Sequence, residues 1–168
     1  MTVRRITIVG GGFSGATAAV QLVRASPVPL AVTIVEPRET AGPGLAYSAV
    51  DRDHRLNGPA WGHSLLPEDG GHFTRWCEAE GVLRRDPEAV APDGNAFVRR
   101  GDYGRYLAAT LAAHARWPAT GSTIEHLRDR ARLAVIDGDA IETRTEAGRS
   151  LDSAMLIVAT GNPLPRLQ

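Results

Sequence analysis

Residues 3–36 read VRRITIVGGGFSGATAAVQLVRASPVPLAVTIVE, in which two apolar runs flank a glycine-rich turn and an alanine-rich segment. Residues 3–9 are largely apolar and β-branched, which is typical of a buried strand. The alanine-rich residues 14–25 predict a helix, which a serine and two prolines then end. Residues 30–35 form a second apolar run. A strand, a helix and a strand in this order predict a right-handed crossover between two parallel strands.

Residues 10–15, GGGFSG, match the pattern G-x-G-x-x-G between the first strand and the helix. Gly10 permits the tight turn out of the strand, and Gly15 lets the helix pack closely against it. Gly12 has no side chain, so the backbone can approach a pyrophosphate. The helix directs its N–H groups and the positive end of its dipole towards the phosphates. The motif therefore predicts a dinucleotide site at the start of this helix.

An acid, Glu36, ends the second strand about 20 residues beyond the glycine motif. A carboxylate in this position accepts hydrogen bonds from a ribose with free 2′- and 3′-hydroxyls, and it repels a 2′-phosphate. The adenosine end of the ligand therefore belongs to FAD or NAD rather than to NADP. The alternative is a glycine-rich turn with an acid nearby by chance.

The middle of the chain is less regular. Residues 40–67 are rich in glycine and proline and predict a long loop, which in a compact domain is usually functional. Residues 72–80 predict a short helix with Gly81 as its C-cap. Asp102 is predicted to be the N-cap of a longer helix, which Trp117-Pro118 stops.

The last third predicts three strands joined by glycine turns, over residues 130–136, 140–145 and 150–159. The end of the third is continuously apolar, which indicates burial on both faces in the main sheet. It leads into the Ala-Thr-Gly-Asn-Pro segment of residues 159–163. The alternative is an ordinary buried strand followed by a turn.

This segment resembles the second flavin-contacting strand of flavoproteins with two dinucleotide-binding domains, and the three strands resemble their β-meander crossover. The resemblance implies FAD as the ligand and a contact of Thr160 and Gly161 with it. It also implies an α/β fold: a Rossmann-like FAD-binding domain with a parallel sheet, helices on both faces and the β-meander. We expect residues 1–168 to form this one domain.

Four segments carry a narrower resemblance: GLAYS at 44–48, RLN at 55–57, HFTRW at 72–76 and YGRYL at 103–107. They are similar to a bacterial group of FAD/NAD(P)-binding proteins that includes flavin-dependent urate hydroxylases and aspartate N-monooxygenases. The likeness implies that residues 44–47 and 56–57 approach the pyrophosphate, ribityl chain or flavin ring, and that Arg38 lies near the adenine. The candidate cofactor-binding residues are Gly10, Gly12, Phe13, Ser14, Gly15, Glu36, Pro37, Arg38, Gly44, Leu45, Ala46, Tyr47, Leu56, Asn57, Thr160 and Gly161.

Each of these outer positions has a structural alternative. Arg38 is then a surface arginine, Tyr47 packs a loop, Leu56 belongs to the core and Asn57 makes a turn. The three tryptophans are expected to pack rather than to stack on a flavin.

No side chain is predicted to be catalytic or to bind a metal. Ser14 has no recognisable base partner, and none of the five histidines pairs convincingly with an acid or with a second ligand. The single cysteine, Cys77, excludes an intrachain disulfide, a cysteine metal cluster and a dithiol flavoenzyme.

The charge balance restricts the partners. Lys and Arg total 19, as do Asp and Glu, so the formal net charge is zero. This balance argues against nucleic acid or an anionic membrane as a partner. No stretch approaches the ~20 apolar residues of a membrane span, and the lone cysteine fits a reducing, cytoplasmic compartment.

Taken with the resemblance, the motifs predict the FAD-binding part of an NAD(P)H-dependent flavin oxidoreductase, of monooxygenase type, that acts on a small molecule. No second G-x-G-x-x-G follows, so the NAD(P)H site is expected off this chain, either on a missing C-terminal half or on a partner subunit. One alternative is a non-catalytic FAD- or NAD-binding sensor or scaffold module. Another is a simple NAD-dependent dehydrogenase, which predicts a further βαβ half after Glu36.

Overall fold

The computed structural model describes residues 3–162, which contain eight strands and four helices. The helices are α1 (Phe13–Ala25), α2 (His72–Ala79), α3 (Val82–Arg85) and α4 (Arg100–Ala113). The strands are β1 (Arg4–Val9), β2 (Leu30–Val35), β3 (Arg116–Trp117), β4 (Ser122–Leu127), β5 (Ala131–Asp137), β6 (Ala140–Thr145), β7 (Ser150–Ser153) and β8 (Met155–Val158). The contacts divide the chain into two units. The first runs to Gly42 and resumes at Leu111, and the second is Pro43–Thr110.

The first unit is built on a five-stranded sheet with the order β3-β4-β2-β1-β8. Strands β4, β2, β1 and β8 are parallel, and the short β3 is antiparallel to β4. Val9, the last residue of β1, is level with Val35 on one side and Val158 on the other. The carboxyl ends of β1, β2 and β8 therefore meet at the same edge of the sheet.

Helix α1 covers this sheet with a face of small apolar residues. Gly15, Ala16, Ala19, Val20 and Val23 are buried, at the spacing of three and four that places side chains on one side of a helix. Small side chains let the helix lie close to the strands. The predicted β1-α1-β2 unit and the Rossmann-like α/β class are confirmed.

The meander is a separate antiparallel sheet with the order β5-β6-β7. Gly138 and Gly148 turn its two hairpins, with φ of 58° and 80°. The predicted single strand over residues 150–159 is in fact two strands. The chain leaves β7 at Ala154, whose N–H donates to the carbonyl oxygen of Arg5 at 3.0 Å, and then joins the main sheet as β8.

Burial of the last strand on both faces is wrong. Met155 is 47% exposed and Val158 is 69% exposed. Within residues 3–162, β8 pairs with β1 on one side and has no strand on the other. An apolar run indicates a strand with neighbours on both sides, whereas β8 is an edge strand among the described residues.

The second unit consists of a long loop, helices α2 and α3, and most of α4. Short 3₁₀ turns occur at Ala60–Gly62 and Pro87–Ala89. Its core is aromatic: Phe73, Tyr103 and Tyr106 are buried with ring centroids 4.7 to 5.6 Å apart. The C-cap of α2 is Glu80, one residue before the predicted Gly81, which follows it in the left-handed conformation with φ of 62°.

Asp102 is not the N-cap of α4. The helix begins two residues earlier, at Arg100, because the carbonyl of Arg99 accepts the N–H bonds of Asp102 and Tyr103. Asp102 lies in the first turn, where its carboxylate pairs with Arg105 at 2.6 Å. An acid in the first turn complements the helix dipole, which explains its place near the start.

No helix between residues 3 and 162 is long and apolar enough to cross a membrane.

Candidate dinucleotide-binding site

Two glycines of the motif are required by the fold itself. Gly10 has φ of 100°, a conformation that side chains strongly disfavour, and a Cβ there would overlap the carbonyl oxygen of Ala159. A Cβ on Gly15 would overlap the carbonyl oxygen of Gly10. Gly10 therefore permits the turn next to β8, and Gly15 permits the close approach of α1, as the motif predicts.

Gly12 is different because its backbone is ordinary. It is the N-cap of α1 with φ of −76° and ψ of −166°, which is extended backbone that any residue adopts. No side chain in the described part of the chain caps this helix end, and the first turn carries no acid. The start of α1 thus presents main-chain N–H groups without a competing carboxylate on the helix, and Phe13 and Ser14 in its first turn are exposed.

Gly11 has no role in the motif, yet the structure gives it one. Its N–H donates to Oε2 of Glu36 at 2.8 Å. A Cβ on Gly11 would lie 2.7 Å from the Cβ of Glu36 and 3.1 Å from Cγ2 of Ile34. The motif allows any residue at position 11, so the glycine found there was the only sign of this contact in the sequence.

Glu36 is buried and held in one orientation. Its side chain is 6% exposed, and its Oε1 accepts the N–H of Arg38 at 3.0 Å. The main chain is also fixed, since the N–H of Glu36 donates to Leu127 and the ring Nε2 of His126 lies 3.0 Å from the Glu36 carbonyl. Each carboxylate oxygen has two lone pairs, so each can accept one further hydrogen bond.

A cleft of ≈ 490 Å³ lies beside this carboxylate, at the carboxyl ends of β1 and β2. Ligands of open α/β sheets bind at this edge. Five predicted residues line the cleft: Gly10, Glu36, Pro37, Arg38 and Thr160. Arg130 and Ala131 also line it, although the sequence offered no local signal for them because they come from the start of the meander.

The segment after β8 runs along the glycine turn. The N–H of Ala159 donates to the carbonyl of Val9 at 2.8 Å. Thr160 and Gly161 follow and are exposed, and Gly161 has φ of 68°. Pro163, the last residue of the predicted motif, lies outside the described residues.

Residues 44–47, which were predicted to approach the cofactor, form a turn that packs against α4 in the second unit. The N–H of Tyr47 donates to Pro43 at 3.2 Å, and the Tyr47 ring meets Tyr103 edge-on at 4.7 Å. A Cβ on Gly104 would overlap the carbonyl oxygen of Tyr47, so glycine there permits this approach. Leu45 and Ala46 are exposed, whereas Gly44 is buried.

Leu56 is buried at 3% exposure, and Asn57 beside it is exposed. The N–H of Leu56 donates to Val98 at 2.9 Å. Its side chain therefore belongs to the core, and of this pair the Asn57 side chain is the one accessible to a ligand.

An ion-pair cluster holds the preceding residue, Arg55. Its guanidinium donates to both carboxylate oxygens of Asp86, at 2.8 and 3.1 Å, and Nε of Arg99 lies 3.1 Å from the same carboxylate. Asp86 is 4% exposed. The hydrogen bond from Arg55 is the largest cause that lowers the pKa of Asp86, against an opposing effect of burial.

The described residues contain no group of three His, Cys, Asp or Glu side chains that could hold a metal. Cys77 is buried, and burial raises the pKa of its thiol to about 12. A thiol in this state is not a nucleophile at neutral pH.

Comparison with solved structures finds proteins that share this fold. A flavin-containing monooxygenase from Stenotrophomonas maltophilia is 18% identical with a TM-score of 0.57, over 95% of this chain and 39% of that chain. The Diels-Alderase PyrE3 is 18% identical with a TM-score of 0.52, over 94% and 32%. A thioredoxin reductase from Gloeobacter violaceus is 15% identical with a TM-score of 0.52, over 95% and 34%. Likeness at this identity shows the fold alone.

The chain thus spans between 32% and 39% of the length of these three structures. A search of curated proteins found no match. The family model described as FAD-NAD(P)-binding matches residues 7–163, which run from β1 through the Ala-Thr-Gly segment. Since this match covers nearly all of the sequence, the chain belongs to the FAD-NAD(P)-binding family.

Proposed function

We propose that this chain is the FAD-binding module of an NAD(P)H-dependent flavin oxidoreductase of monooxygenase type. One observation carries the proposal: the uncapped start of α1 at Gly12 and the buried carboxylate of Glu36 lie at the same edge of the sheet, where Gly10 and Glu36 line an open cleft. A diphosphate and an adenosine ribose need such a pair of partners at neighbouring positions.

Each part of FAD has a partner in this proposal. The N–H groups at the start of α1 bind the pyrophosphate, and Glu36 accepts the ribose hydroxyls. The adenine lies in the cleft near Pro37 and Arg38, and the flavin lies towards Thr160 and Gly161. The resemblance further implies that residues 44–47 and 56–57 approach the pyrophosphate, ribityl chain or flavin ring, and Asn57 is the exposed member of the second pair.

FAD, when bound, supplies hydride acceptance and, in a monooxygenase, the activation of O₂. This chain's residues bind and orient the cofactor. Arg38 pairs with Glu36 in the cleft, and the Glu36 carboxylate already accepts two main-chain N–H bonds. In this proposal the two side chains therefore bind the cofactor and do not act as acid–base catalysts.

We further propose that the NAD(P)H and small-molecule sites lie on additional polypeptide that packs on the first unit. An apolar groove of ≈ 770 Å³ runs between α1 and the sheet, lined by side chains that include Leu22, Val28 and Ile157. It continues to the exposed edge strand β8. The remainder of a longer chain or a partner subunit would bury both, since exposed apolar patches and sheet edges favour association.

The direct test of the proposal is FAD binding by the purified chain. We expect the protein to retain flavin absorbance after gel filtration with FAD, and to bind FAD more tightly than FMN, which lacks the adenosine half. A protein that stays colourless at saturating FAD contradicts the proposal. Oxidation of NAD(P)H in the presence of FAD would argue against the non-catalytic sensor or scaffold alternative.

Replacement of Glu36 by alanine should weaken ADP binding by ~1–3 kcal/mol, the loss expected for hydrogen bonds to a charged group. The same variant also removes the acceptor of the Gly11 N–H, so a loop effect must be separated from ribose binding. Titration with 2′,3′-dideoxy-ADP separates them, because this ligand lacks both hydroxyls. We expect the wild type to prefer ADP and Glu36→Ala to lose the preference. An equal loss for both ligands would mean that Glu36 only supports the loop.

A further inference from the structure

We propose that Arg130 is a specificity-determining residue of the same site, and that its guanidinium stacks on the adenine of the bound dinucleotide. This inference rests on the proposed function, since it names a residue for the adenosine end of FAD. The observation behind it is that Arg130 lines the cleft with Gly10 and Glu36, although it lies far from them in sequence.

The topology explains how Arg130 reaches this cleft. Strand β4 is parallel to β2, so the residues that follow β4 leave the sheet at the same edge as Glu36. The N–H of Glu36 donates to the carbonyl of Leu127 at 3.1 Å, and the His126 ring lies against the Glu36 carbonyl. These contacts fix the end of β4 beside Glu36, and Arg130 follows three residues after Leu127.

The main chain of Arg130 is held while its side chain is exposed. Its N–H donates to Oδ1 of Asp129 at 2.7 Å, and its carbonyl accepts the N–H of Glu146 at 2.8 Å. Its guanidinium lies 3.5 Å from the Glu146 carboxylate, with side-chain exposures of 62% and 58%. An exposed ion pair of this kind is weak, so the guanidinium can turn to a ligand at small cost.

The lining of the cleft fits a flat base. Val35, Pro37 and Ala131 supply apolar wall, and a buried carboxylate, Glu36, repels anions. The Arg38 guanidinium lies 3.6 Å from the Glu36 carboxylate, so its charge is paired within the cleft. The carboxylate partner of Arg130 is Glu146, which does not line the cleft. A planar guanidinium stacks on aromatic faces, and the adenine ring offers such a face.

Titration of FAD and ADP against Arg130→Ala tests the inference. We expect about a tenfold loss of affinity for both ligands, because both contain the adenine. Arg130→Lys keeps the positive charge but lacks the planar guanidinium, so it should recover little of the lost affinity. Arg132→Ala, an exposed arginine two residues along the chain and outside the cleft lining, is the matched control and should bind as the wild type.

A second variant separates binding from support of the meander. Glu146→Ala breaks the same ion pair but leaves the guanidinium in place, so FAD affinity should be unchanged or higher. The inference is overturned if Glu146→Ala loses as much affinity as Arg130→Ala, or if Arg130→Ala binds both ligands normally. If the wild type binds neither FAD nor ADP, the proposed function fails and the role of Arg130 fails with it.

Discussion

Gly12→Ala should abolish FAD retention while the fold of the chain stays intact. Gly12 has extended backbone that alanine adopts without strain, so the substitution costs the protein little beyond a poorer N-cap. The added Cβ instead occupies the space through which a pyrophosphate reaches the start of α1. We expect FAD affinity to fall about 100-fold or more, as measured by flavin fluorescence titration.

The other two glycines of the motif provide the contrast. Gly10→Ala and Gly15→Ala each place a Cβ on a main-chain oxygen, so the strand–helix turn must distort. We expect the unfolding free energy of both variants to fall by about 3 kcal/mol or more, because backbone strain and overpacking cause losses of this size. Urea unfolding followed by circular dichroism measures this directly. If Gly12→Ala binds FAD with wild-type affinity, the pyrophosphate is not at the start of α1.

The β1-α1-β2 unit was predictable because its signals are local. Apolar runs mark the two strands, and β2 is predicted to the residue. The reasons for two of the glycines are also local: Gly10 has positive φ, and Gly15 lies against the carbonyl oxygen of Gly10. The two meander turns were predictable for the same reason, since Gly138 and Gly148 have positive φ.

Strand β4 was not predicted, because its sequence, Ser-Thr-Ile-Glu-His-Leu, carries only a short alternation. Its pairing with β2 is a long-range contact, which no local pattern specifies. The same physical reason applies to the cleft. Glu36 and Gly10 were found through a motif, whereas Arg130 reaches the site only because β4 adds to the sheet beside β2.

Substitution of Asp86 by asparagine is expected to destabilise the chain by about 3 kcal/mol at neutral pH. Loss of the charge leaves Arg55 and Arg99 without their buried carboxylate, and removal of one member of a buried pair is costly. Both arginines keep a quarter or more of their side chains exposed, at 25% and 29%, so water offsets part of the loss. Urea unfolding measures the difference.

The destabilisation caused by Asp86→Asn should be larger at neutral pH than in acid. The folded state lowers the pKa of Asp86, chiefly through the Arg55 hydrogen bond, so the ionised form stabilises the protein above the unfolded-state pKa of about 4. This stability is lost as the pH falls through the lower folded-state pKa. The wild type and Asp86→Asn should therefore differ most near pH 7 and converge in acid.

Asp69→Asn is the matched control in the same unit, because it breaks an Asp–Arg pair in which Arg75 is 59% exposed. A pair on the surface contributes roughly 0–1 kcal/mol, so this variant should unfold almost as the wild type does. Equal losses in the two variants would show that burial of the Asp86 carboxylate adds nothing.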